Sequence, residues 1–315
     1  MTVLSGPAGQ GRGRLGFQAP PWARLFAGRV GPKVAVALLF LPPALFLFTL
    51  FVALPMGEAA WYSLYNWNGF GSPTQFVGWR NFELLVANRA FRIALVNNGL
   101  IIAVSLLVQL PLALGLAMLL ADRVRGAVAF RLIFFLPYIL AEVAAGLIWR
   151  FVYDGDYGLI ARIWALFGAQ APHLLADPDL AIHAVLGVVV WKYFGFHMML
   201  YIAGLQQIDR NLYEAAHLDG ATGRQIFGRI TLPLLGPTIR LSVFFAILGS
   251  IQLFDLIMPL TKGGPSDSTQ TMVTYLYSYG VTRMRIGFGS AVGVLLFVIC
   301  VAFAFGYKRV AMRHD

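Results

Sequence analysis

Three stretches of this chain, 34–57, 93–121 and 286–307, contain no Asp, Glu, Lys or Arg. Crossing the hydrocarbon core of a bilayer takes about 20 apolar residues, and each stretch exceeds that. Inside hydrocarbon every backbone N–H and C=O must find a partner within the chain, which selects helices over open strands. Three further apolar runs carry isolated charges: about 130–152, interrupted by Glu142; about 180–205, interrupted by Lys192; and about 237–259, ending near Asp255. The expected fold is all-α and polytopic, with six transmembrane helices in one domain over 33–308. Basic residues ahead of the first run mimic a secretory leader. That run is longer than a leader's core of roughly 7–15 residues, so an uncleaved first helix is expected.

Charge is scarce and unevenly placed. Only 12% of the 315 residues are charged, whereas soluble domains carry about 25%. The net charge of +10 informs mainly through its distribution, because Lys and Arg favour the cytoplasmic side of a membrane. Arg12, Arg14, Arg24, Arg29 and Lys33 precede the first run, and Lys308, Arg309 and Arg313 follow the last. Arg123, Arg125 and Arg131 lie between the second and third runs, and Arg210, Arg224 and Arg229 between the fourth and fifth. The third-to-fourth loop instead has Asp154, Asp156, Asp177 and Asp179 against Arg162 alone. This asymmetry places both termini and the fourth-to-fifth loop in the cytoplasm. Residues 1–32 read as a disordered basic cytoplasmic tail that can meet anionic lipid, and 309–315 as a short cytoplasmic tail. No basic helix or aromatic–basic platform points to nucleic acid. The single cysteine, Cys300, falls inside the last apolar run and reads as a small apolar residue.

The fourth-to-fifth loop, 209–235, is built like a docking element. Asp209 suits the N-cap of a short helix over Arg210–Leu218. Gly220 supplies a turn that a side chain would resist. Thr222 opens a second helix, with Gln225 at capping-box spacing. Pro233 and Pro237 mark the start of the next run, where a helix tolerates proline in its first turn. Ala215 and Ala216 leave little bulk beside Glu214, so another surface can approach closely.

This loop resembles the EAA loop of the membrane subunits of binding-protein-dependent ABC importers. The family pattern is Glu-Ala-Ala, three residues, Gly, nine residues, Ile, one residue, Leu-Pro. Here it reads Glu214-Ala215-Ala216, Gly220, Ile230 and Leu232-Pro233, every position fitting. The outer segments Ser63–Asn68 and Phe76–Phe82, Leu136-Pro137-Tyr138 and Leu260–Pro265 are similar to the first-type permease of the carbohydrate branch. The resemblance covers nearly all of 33–308. It implies that Glu214, Ala215, Ala216, Asp219, Gly220, Arg224 and Pro233 couple the chain to an ATPase subunit. Asp219-Gly220-Ala221 resembles the carbohydrate permeases at that place.

The chain supplies no chemistry of its own. A Walker A loop needs Gly-Lys before Ser or Thr, and none of the four lysines, Lys33, Lys192, Lys262 and Lys308, follows a glycine. No HExxH spacing or nucleophile elbow occurs. Not an enzyme, then, and no cofactor or metal is expected on this chain; ATP and Mg would be used by the partner ATPase. The costly intramembrane charges are Glu142 and Lys192, each about 2.5–3.5 kcal/mol at a helix centre on insertion scales. Lys192, flanked by Trp191 and Tyr193, suits a sugar pathway through ring faces and a hydrogen-bond donor, with His197 and Gln252 as further pathway candidates. An ion pair of Lys192 with Glu142 or Asp255 is the competing structural reading.

The resemblance implies a six-helix permease subunit in the bacterial inner membrane, importing a sugar or oligosaccharide by alternating access. The implied partners are a second permease subunit, two ATPase subunits, a periplasmic or lipid-anchored substrate-binding protein, membrane lipid and the sugar. Import of glycerol 3-phosphate or another polar solute is the alternative within the family. An ion-coupled secondary transporter is the alternative from another class; it would need intramembrane acids and repeated halves, and only Glu142 is present.

Overall fold

A computed structural model describes residues 32–121 and 126–311. The basic tail over 1–31, Arg123, Arg125 and the last four residues lie outside them. The chain divides into two compact units, Met1–Gly57 and Glu58–Asp315. A helix from Pro32 opens into a π turn over Thr49–Ala53 and continues as Leu54–Tyr62, with the division between the units at Gly57. Its span-length part is α1, Val36–Tyr62.

The second unit follows as α2 (Arg80–Ala87), α3 (Arg89–Ala121), α4 (Ala127–Ile139), α5 (Glu142–Val152), α6 (Leu159–Leu166) and α7 (Pro178–Leu205). Then come α8 (Arg210–Leu218), α9 (Gly223–Leu234), α10 (Gly236–Ile251), α11 (Ile257–Leu260), α12 (Met272–Tyr275) and α13 (Ile286–Ala311). Helices α1, α3, α7 and α13 are each long and apolar enough to cross a membrane; α4 with α5, and α9 with α10, reach that length only as bent pairs. The bends are 96° and 67°. Of the six expected spans four are continuous helices, and the count reaches six where each bent pair is one span.

Both breaks have physical causes. In the third run Pro137 removes an N–H near the end of α4, and Lys192 takes carbonyls left open where that helix stops. Its Nζ donates to the carbonyl oxygens of Pro137 (2.8 Å), Tyr138 (3.0 Å) and Leu140. The expected fifth helix to about 259 stops at Ile251 because distant side chains capture the carbonyls that would extend it. Asn98 Nδ2 donates to Ser250 O at 2.7 Å, and Thr271 Oγ1 to Leu253 O at 2.9 Å. The sixth helix runs past 308, so Lys308 and Arg309 belong to its last turn, where cations suit the helix dipole.

Helix α7 is the axis of the second unit. Some 56% of its most apolar stretch is buried, against 33% in α3 and 22% in α13, so it is α7 that the others pack around. Lipid is as apolar as leucine, so contact between spans depends on close fit. Ala113, Ala117 and Leu120 of α3 meet Met198, Tyr201 and Ile202 of α7 in one fully packed cluster. At Gly195 a Cβ would sit 2.1 Å from the Phe134 carbonyl oxygen, so α4 can cross α7 there only over a glycine.

A second cluster joins α2, α3, α12 and α13 through Leu85, Phe91, Ala94, Tyr275, Phe288 and Val292. The loop after α11 is fastened by Asn97, whose Nδ2 donates to the carbonyls of Ser268 (2.8 Å) and Gln270 (2.9 Å). After α5 the backbone N–H groups of Tyr157 (2.8 Å) and Asp156 (3.0 Å) donate to Asp154 and hold its carboxyl below the ordinary carboxylate range.

Candidate functional site

Among the described residues, two cavities that combine polar groups with open space bear on function. The first is a cavity of about 540 Å³ bounded by α3, the α4–α5 break, α7 and α10. Its polar lining is Ser105, Gln109, Tyr138, Glu142, Tyr193, His197, Ser250, Gln252 and Asp255. Ser105 and Gln109 lie in a π turn of α3, Ser105–Gln109, followed by Leu110-Pro111. A proline in an α-helix clashes with the carbonyl four residues back; here Leu110 N–H bonds Ser105 O, five back, which widens the turn. Wide turns of this kind recur at functional sites.

One side of the cavity is aromatic. Tyr138 stacks on Phe196 with centroids 4.9 Å apart, and Phe196 meets Phe245 edge-on at 5.9 Å. Flat rings beside hydrogen-bonding groups fit a polyhydroxylated ring, whose C–H faces are apolar and whose rim is polar. Tyr193 Oη donates to Glu142 Oε1 at 2.8 Å. Glu142 opens α5, where the helix dipole favours a negative charge. Gln109 is only 2% exposed, and its amide has one contact among the described residues, Ser105 Oγ at 3.5 Å from Oε1. Its nitrogen is left with donor capacity at the cavity wall.

The structure divides the pathway residues expected from sequence. Tyr193, His197 and Gln252 line the cavity; Lys192 and Trp191 do not. Lys192 is 1% exposed and its ammonium is used on the α4 carbonyls, so it partners backbone, in place of the Glu142 or Asp255 pair that its sequence context suggested. Trp191 packs edge-on against Trp149 at 5.2 Å, within the core. His197 is fixed by Ser242 Oγ at 2.7 Å from Nδ1. The lining also contains residues that the sequence reading did not single out. Ser105 and Gln109 are polar residues four apart in an uncharged run, the spacing of one helical face. Asp255, named in sequence as the end of the fifth run and as an ion-pair candidate for Lys192, lines the cavity just beyond the end of α10.

The second place surrounds the 209–235 loop. Asp209 caps α8 by accepting from Asn211 N at 3.0 Å. Gly220 turns the chain with φ +73°. Thr222 and Gln225 form the reciprocal capping box that opens α9. Tyr213 Oη lies 3.3 Å from Thr231 Oγ1, tying α8 to α9. Glu214, Ala215, Asp219, Gly220, Arg224 and Pro233 are exposed, and Ala216 is half-buried. Leu218 is 89% exposed at the end of α8, an apolar group without cover beside the Glu-Ala-Ala run. Behind α8 a second cavity, about 520 Å³, is lined by Arg210, Tyr213, Glu214 and His217 together with the ends of α3 and α7.

Comparison with known proteins adds independent information. Residues 109–314 match the family of binding-protein-dependent transport system inner membrane components. The chain is 31% identical to the diacetylchitobiose uptake system permease protein NgcF of Streptomyces coelicolor over 285 residues, 86% of this chain and 81% of that one. It is 31% identical to the trehalose/maltose transport system permease protein MalF of Thermococcus litoralis over 278 residues, 88% and 94% of the two chains. It is 32% identical to the sn-glycerol-3-phosphate transport system permease protein UgpA of Agrobacterium fabrum over 287 residues, 90% and 97% of the two. Among solved structures, a chain of a bacterial alginate ABC transporter in complex with its pentasaccharide-bound periplasmic protein superposes with a TM-score of 0.79 at 23% identity, covering 89% of this chain and 95% of that one.

Proposed function

This chain belongs to the inner membrane components of binding-protein-dependent transport systems, and we propose that the solute it passes is a sugar or oligosaccharide. It is an ABC importer permease, a transport subunit. The observation that carries the sugar reading is the cavity at the α4–α5 break, where Tyr138, Phe196 and Phe245 face a rim of hydroxyl, amide and carboxylate groups. Two of the three relatives named above are named for saccharides.

In this reading the chain pairs with a second permease subunit, and two copies of a separate ATPase sit beneath them, holding the ATP and Mg. A binding protein outside delivers the solute. Both termini and the α8–α9 loop face the cytoplasm. Exposed Leu218, the small Ala215 and Glu214 enter a cleft of the ATPase, and the Gly220 bend fixes the angle between the two short helices. ATP binding closes the ATPase dimer and moves α8 and α9. Pro233 and the π turn Phe227–Thr231 pass the motion into α10, which forms one wall of the cavity. The contribution of the chain is a coupling free energy between two distant sites.

The test is uptake of labelled disaccharides by the complete importer in proteoliposomes. Uptake should require internal ATP, and Glu214→Lys should lower it and the solute-stimulated ATPase by about tenfold or more. Unchanged transport by an assembled Glu214→Lys complex refutes the coupling role. Absence of saccharide uptake beside uptake of glycerol 3-phosphate refutes the sugar assignment.

A further inference from the structure

We infer that the α3–α5–α7–α10 cavity takes uncharged or amine-bearing saccharides and rejects those carrying a carboxylate or phosphate, and that Glu142 and Asp255 set this preference. The inference rests on the sugar-importer reading and adds the charge class of the sugar.

Its ground is what lines the cavity and what does not. Glu142 and Asp255 are the charged residues of the lining, and no lysine or arginine is among the described residues there. The nearest cation in sequence, Lys192, is behind the wall on the carbonyls of Pro137, Tyr138 and Leu140. The α4–α5 break therefore sorts its charges: the positive group is buried against the C-terminal carbonyls of α4, and the negative group at the start of α5 faces the space. Both carboxylates remain open to a ligand, because Asp255 is exposed and Glu142 half-buried with Tyr193 on one oxygen. Carboxylate oxygens accept hydrogen bonds from sugar hydroxyls and more strongly from an ammonium. The Gln109 amide nitrogen, with no hydrogen bond among the described residues and on a residue of the cavity lining, adds a donor for a ring or hydroxyl oxygen. An anionic ligand a few ångströms from two carboxylates in a partly desolvated cavity is repelled strongly enough to weaken binding by about tenfold or more.

The test uses the complete permease–ATPase complex in lipid nanodiscs, without the binding protein, so that the cavity is read directly. Saturation-transfer NMR compares three disaccharides of equal size at pH 7: an uncharged one, one bearing an amine and one bearing a uronate. Wild type should bind the first two and bind the uronate about tenfold more weakly or worse. The paired substitution Glu142→Gln and Asp255→Asn should bring the three within about threefold of one another, its assembly checked by size-exclusion chromatography. Each substitution alone keeps a carboxamide of the same shape, so whichever assembles should give an intermediate ranking. Equal binding of the uronate by wild type overturns the inference, as does a ranking that survives in an assembled substituted complex. If none of the three binds, the inference also falls; ATP-driven uptake of the same sugars then decides separately whether the sugar-importer reading stands.

Discussion

Lys192 is the side chain whose placement the membrane makes most expensive. It is 1% exposed in the middle of α7, and it is held by three carbonyl oxygens released where α4 stops. Each partner solves the problem of the other: the ammonium needs desolvated acceptors, and the end of α4 leaves carbonyls that water cannot reach. The rings of Tyr138 and Tyr193, at 5.8 and 5.9 Å from Nζ, add a favourable face for the cation. Lys192→Met should therefore act through stability. Leaving several buried acceptors unpaired costs about 3 kcal/mol, and thermal unfolding of the purified complex should move down by several degrees. A variant that unfolds as wild type does but shows a raised KM for sugar would return Lys192 to the transport pathway. The sequence revealed that a costly charge sat at 192. It did not reveal the partner, because the acceptors are backbone atoms more than fifty positions away, and backbone atoms carry no sequence signature.

Turns and caps were more legible than helix ends. The Asp209 cap, the Gly220 bend and the Thr222–Gln225 box each depend on residues within one turn of each other, and all occur where local spacing puts them. Losing the box by Gln225→Ala should cost about 1 kcal/mol. The effect should be local, with faster amide exchange over 222–226 and an unchanged midpoint for global unfolding. Protection equal to wild type over those residues would show that packing against the rest of the unit holds α9 without its cap. The end of α10 was beyond local reasoning because Asn98 and Thr271 impose it from elsewhere in the chain. The π turns lie between these cases. Thr49–Ala53, Ser105–Gln109 and Phe227–Thr231 are each followed directly by Leu-Pro, with the leucine N–H bonded five residues back. Leu41-Pro42 and Leu136-Pro137 lie in helix that does not widen, and the π turn Leu276–Val281 has no proline after it, so the Leu-Pro pair gives a cause for three wide turns without marking them in sequence.

At the scale of the whole molecule, the two bent pairs decide the topology. A helix pair bent by 96° or 67° can cross the membrane or return to the side it came from, and length and composition alone do not choose. We propose that charge chooses: with the acidic loop after α5 outside and the basic residues after α7 and α13 inside, the α4–α5 and α9–α10 pairs both cross. Single cysteines on a Cys300→Ala background separate the cases. Phe76, Asp156 and Val310 are exposed in the structure, so a cysteine at any of them is reachable from its own side. With both pairs crossing, a membrane-impermeant maleimide labels Phe76→Cys and Asp156→Cys in intact cells, and Val310→Cys only after permeabilisation. If α4–α5 turned back, Asp156→Cys would be protected while Phe76→Cys was labelled. If α9–α10 alone turned back, Val310→Cys would be labelled from outside with the other two. The first pattern would put α8 outside the cell, so that α10 would no longer connect a cytoplasmic loop to a wall of the solute cavity; the second would leave α8 inside and put the end of α13 outside, against the proposed placement of both termini in the cytoplasm.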